Sequence, residues 1–153
     1  MQVDSSLELG RDDPALELPW QSHSEDGSIS YQDLRANPAL INNVSEARRF
    51  PELRDFLLRI NAPNFFLETA KSDVWFSSEL AADEDIFAAS TKLVSYVDIV
   101  FSLPKRRVSL PDHEALVSNL CRLLTKAPEM AASAEFVIRH CHFHPAAMSD
   151  DEL

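Results

Sequence analysis

The sequence predicts a mainly α-helical single domain, a bundle of five or six short helices with acidic flexible ends. Three observations lead there. The chain of 153 residues has only two glycines, Gly10 and Gly27, so the tight turns that hairpins favour are scarce. Nine prolines punctuate it instead, several where a helix begins. Its longest mainly apolar stretch, Asp83 to Pro104, repeats with helical spacing.

In that stretch Ile86, Ser90, Leu93, Val94, Val97, Val100 and Phe101 form one stripe, and Glu84, Thr91, Ser95, Asp98 and Ser102 another. Acids at 83–85 and cations at 105–107 suit the two ends of a helix dipole. The β-branched and aromatic content of Val94 to Phe101 supports an alternative, an α+β fold with a small sheet from residues 73–77 and 93–101. Asp98 separates the two readings. On a helix it joins the polar stripe; on a strand it lies between Tyr96 and Val100 and becomes the best candidate for function.

In chain order, residues 1–30 read as an acidic, mostly extended or disordered arm. Seven acids there face one base, Arg11, a net −6, and Asp150, Asp151 and Glu152 add three more. The ends thus supply nine of the eleven net negative charges. Residues 31–145 form the expected helical domain and 146–153 an acidic tail. Asn37-Pro38 starts a helix with Leu40, Ile41, Val44 and Ala47 inside. Phe50-Pro51 opens the next, with Leu53, Phe56, Leu57 and Ile60 inside, and Asn61 to Asn64 ends it. Phe65 to Lys71 suggests a short helix, and Val74-Trp75-Phe76 a core cluster. Ser109 to Asp112 caps an amphipathic helix through Leu116, Val117, Leu120, Leu123 and Leu124. A last helix spans about 128–143, with Ala131, Ala134, Val137, Ile138 and Cys141 inside.

The chemistry the sequence excludes is broader than the chemistry it offers. After Gly27 no glycine remains for a phosphate-binding loop or a dinucleotide fingerprint. A net charge of −11 opposes non-specific binding to nucleic acid. The start carries no secretory signal pattern, no apolar run is long enough to span a membrane, and two cysteines make no disulfide framework. A reduced, cytoplasmic protein follows as the expectation, with no membrane or nucleic-acid partner.

The expected function is that of a non-catalytic protein–protein interaction or regulatory protein, its partner another protein, homo-oligomerisation being compatible. Leu16, Leu18 and Trp20 are the candidate partner-binding residues, an apolar patch in the acidic arm; the competing reading folds Leu18 and Trp20 back onto the protein's own core. The alternative is a metal-dependent protein or hydrolase. His140 and His144 lie four apart, share a face on a continued helix and there could chelate zinc or another divalent metal, with His113, Glu114 or Cys121 completing the set. Otherwise no cofactor is expected. Glu68, Asp73 and Asp98 with Lys71 are the residue types of metal-assisted hydrolysis, but solvated faces explain them equally.

Overall fold

The computed structural model describes residues 1–21, 30–79, 89–127 and 131–144. It overturns the mainly α, helical-bundle expectation. Among the described residues six strands form three two-stranded sheets alongside four α-helices and a 3-10 helix. The described residues belong to two compact units, 32–112 and a second made of 1–31 with 113–153.

In the unit 32–112 the proline-started helices are present. A 3-10 helix runs Pro38–Asn43, with the Asn37 side chain accepting from the Ala39 N–H at 3.1 Å. Helix α1 is Ser45–Arg49 and α2 is Pro51–Ile60. Their inner faces close on Leu34, Ile41, Ala47 and Leu57, packed by Leu40, Val44, Leu53 and Leu58. Proline fits the first turn of α2 because its missing N–H would have no helical partner there.

The longest apolar stretch is where helical periodicity loses. Strand β3, Leu67–Ser77, pairs antiparallel with β4, Lys92–Phe101. Val94, Tyr96, Val97, Ile99, Val100 and Phe101 are β-branched or aromatic, and cross-strand packing favours such side chains. The register sets Asp73 opposite Tyr96 and Ser77 opposite Lys92, so the segments of the alternative, 73–77 and 93–101, do pair. The strand starts earlier than either reading had it, since Leu67 to Lys71 belongs to β3 and not to a short helix. The acids at 83–85 lie outside the described residues.

One face of this hairpin carries Leu67, Thr69, Ser72, Val74 and Phe76 with Leu93, Ser95, Val97, Ile99 and Phe101; the other carries Glu68, Lys71, Asp73 and Trp75 with Val94, Tyr96, Asp98 and Val100. A bulge between Thr69 and Lys71 takes up the extra residue, Ala70, which is buried. Asn61, the C-cap of α2, bonds the first face to the helix. Its Nδ2 donates to Leu57 O at 2.8 Å and to Thr69 Oγ1 at 2.7 Å, and its Oδ1 accepts from Thr69 N at 3.0 Å. Among the described residues it is the buried polar side chain, 3% exposed. Beyond β4 come the single turn α3, Pro104–Arg107, and the start of α4, Leu110–Leu124.

The other unit is built on a parallel ribbon. Strand β1, Gln2–Glu8, pairs with β5, Ser133–Arg139, and β2, Leu16–Leu18, pairs with β6, Cys141–Phe143. The expected last helix is therefore two strands. Phe136, Val137 and Ile138 resist a helix for the same reason as 94–101, and Ile138 is buried opposite Leu7. The expected arm 1–30 carries β1 and β2, while residues 22–29 and the tail 146–153 lie outside the described residues. Among the described residues no helix is long and apolar enough to cross a membrane.

Candidate functional site

At the end of the hairpin farthest from Asn61 two apolar side chains stay in water. Phe76 and Leu93 are cross-strand partners, 62% and 54% exposed. Phe50, the residue between α1 and α2, brings its ring to 6.3 Å from that of Phe76, and the Arg49 guanidinium lies 5.6 Å over the Phe50 ring. On the opposite face Trp75, 42% exposed, meets Tyr96 edge-on at 6.2 Å. Diagonal aromatic neighbours of this kind reach each other across a pleated pair. Only Val74 of the expected core cluster 74–76 is buried. Strand alternation sends Trp75 to the opposite face, and Phe76, beside the Phe50 ring at the start of α2, stays largely exposed.

The opposite end is fastened by charge, although Phe66 and Leu103 remain exposed there. Arg107 Nη2 bonds Glu68 Oε1 at 2.7 Å, and Arg35 Nε lies 3.7 Å from Glu68 Oε2. Arg107 Nε also donates to Phe101 O at 2.6 Å, and Arg35 Nη2 donates to Phe65 O at 3.1 Å. The Arg106 guanidinium stacks 4.2 Å over Phe101 and bonds Asp112 at 3.3 Å. Arg106 and Arg107, which on sequence alone suit the end of a helix dipole, are thus occupied in fastening α3 to the sheet.

Asp98 falls on the strand arrangement that made it a candidate for function. It is half-buried on the face of Tyr96 and Val100, opposite Lys71 in the register. Glu68 and Asp73 share that face, so the four residue types suited to hydrolysis do converge on one surface. Their arrangement does not make a metal centre. Glu68 is held by two arginines, Asp73 Oδ1 accepts from Val74 N at 2.7 Å, and among the described residues no three His, Cys, Asp or Glu side chains could hold an ion together.

The candidate metal pair loses its geometric premise, because 141–143 is a strand and not part of a helix. Four residues of extended chain separate two Cα atoms by about 13 Å. His140 turns Nε2 to Leu9 O at 3.0 Å, and His144 Nε2 lies 3.5 Å from Glu17 Oε2. Of the candidate partner-binding residues, Leu16 is half-buried, Leu18 is 7% exposed and Trp20 is half-buried. Leu18, paired opposite Phe143, is committed to the fold. Cys121 and Cys141 are not joined in a disulfide.

Sequence reading missed the Phe50–Phe76–Leu93 surface and the bonds of Asn61. The surface had no signal, since exposure at a hairpin end depends on what covers it. Asn61 offered one: an amide ending a helix just before an apolar run. Comparison with protein-family models, with curated proteins and with solved structures finds no match.

Proposed function

We propose that this chain is a non-catalytic protein–protein interaction or regulatory protein that docks a partner protein on the Phe76–Leu93 end of its β3–β4 hairpin. The observation that carries the reading is the adjacency of Phe50, Phe76 and Leu93, with the last two more than half exposed. Contiguous apolar side chains in water are costly, and in folded proteins they mark surfaces that a partner covers. Aromatic anchors are also the residues that most often dominate binding energy. Two cysteines outside any disulfide fit a reducing compartment such as the cytoplasm, and the net charge of −11 favours a protein over a nucleic-acid partner.

The test is a comparison of wild type with Phe76→Asp and Leu93→Asp in proximity labelling followed by purification of the labelled complex. One partner recovered with wild type at defined stoichiometry and lost with both variants, with the melting temperature unchanged, supports the reading. Recovery of the same complex from all three proteins refutes it.

A further inference from the structure

The two histidines at the ends of β6 point to a device in the other unit. Each is joined to the N-terminal segment twice, once by backbone and once by side chain. Leu16 N donates to His140 O at 2.8 Å, and the His140 ring meets Leu9 O at 3.0 Å. His144 N donates to Leu18 O at 2.8 Å, and the His144 ring meets Glu17 at 3.5 Å. Between these fastenings β2 pairs with β6 over three residues. Upstream, β1 and β5 pair over seven, with the Glu8–Arg139 ion pair at 2.6 Å on the last rung. Residues 9–15 separate the two ladders and carry their own turn, closed by Gly10 N to Asp13 Oδ2 at 2.7 Å and Asp13 N to Gly10 O at 3.3 Å.

We propose that residues 9–18 are a detachable strap: β2 leaves β6 as a unit while β1 stays paired with β5. Release uncovers one edge of β6 and carries Leu18, buried in the closed form, away with the strap. In the closed form the strap occupies that edge itself, which makes the contact autoinhibitory toward strand addition by another chain. Three features set the hinge at 9–15. The β2–β6 ladder is less than half as long as β1–β5, the two histidine ring contacts are at the surface, and the intervening turn is closed on itself. Short ladders with exposed fastenings open sub-globally, without global unfolding. This device does not depend on the hairpin surface, which lies in the other unit.

Amide hydrogen exchange on the full chain tests it. Leu16 N–H and His144 N–H are expected to exchange on the order of 100-fold faster than the slowest amides of the β1–β5 ladder, with little dependence on denaturant. Leu16 and Cys141 are register partners, so Leu16→Cys in a Cys121→Ser background places two thiols for a cross-strand disulfide that locks the strap. Oxidation is expected to slow exchange at position 16 and at His144 to the β1–β5 rate, and reduction to restore it. Equal rates for the two ladders in the wild type overturn the proposal whether or not the variant folds. So does a folded variant that forms the disulfide without any gain in protection.

Discussion

Replacing Asn61 with alanine tests how the hairpin is tied to the helices. The substitution removes three hydrogen bonds at a site that is 3% exposed. Each is worth about 1 kcal/mol net, and the Thr69 N–H left without a partner adds its own desolvation cost. The expected loss is about 4 kcal/mol, or roughly 2 M in the urea midpoint at a slope of about 2 kcal/mol/M. Backbone strain does not contribute: Asn61 has φ of −91°, which alanine adopts freely. Tryptophan fluorescence in a Trp20→Phe background reads the unit of Trp75 alone. Thr69→Val, which deletes only the Oγ1 acceptor, should cost about 1 kcal/mol, and the double variant should fall short of additivity by a similar amount. A loss below about 1 kcal/mol for Asn61→Ala, with an unchanged slope, would refute the reasoning.

Glu68→Gln keeps the shape of a side chain shared by Arg107 and Arg35 but removes its charge; since all three are partly exposed, the expected cost is about 1–2 kcal/mol, read by thermal melting. Arg139→Ala breaks an exposed pair with Glu8 and should change stability by less than about 1 kcal/mol, an effect that salt erases. Phe76→Asp and Leu93→Asp should leave the unfolding free energy within about 0.5 kcal/mol of wild type, because neither side chain is buried; a larger loss would assign these residues to packing. Zinc added to protein without a metal-affinity tag should leave the melting temperature unchanged, and a saturable upward shift lost in His140→Ala would restore the chelate reading.

What was legible in the sequence was the local punctuation. Asn37-Pro38, Phe50-Pro51 and Ser109 to Asp112 mark real helix starts because capping and proline geometry are decided within a few residues. Residues 93–101 and 133–139 were misread because their outcome is decided by segments distant in sequence. Val94 has a strand environment only once Trp75 lies opposite it, and Ile138 only once Leu7 does. A helical stripe also looks persuasive when apolar residues are dense, since they satisfy a period of 3.6 or of 2. The convergence of Lys71, Asp73 and Asp98 on one face was hidden for the same reason: it appears only with the register. That His140 and His144 both reach the N-terminal segment could not be read at all, because their partners lie more than 120 residues earlier.

The pairing of β1 with β5 has a consequence for synthesis. Glu8 and Arg139, rung partners in the ribbon, are 131 residues apart. At a translation rate of about 10 residues per second, β1 is made roughly 13 s before its partner exists. During that interval the unit 32–112 can assemble from contacts within itself, while an unpaired strand edge trails from the nascent chain. Polar residues line that edge: Gln2, Asp4, Ser5, Ser6 and Glu8 leave only Val3 and Leu7 apolar. Negative charge and hydroxyls make a poor template for aggregation, so the composition of β1 suits a strand that must wait.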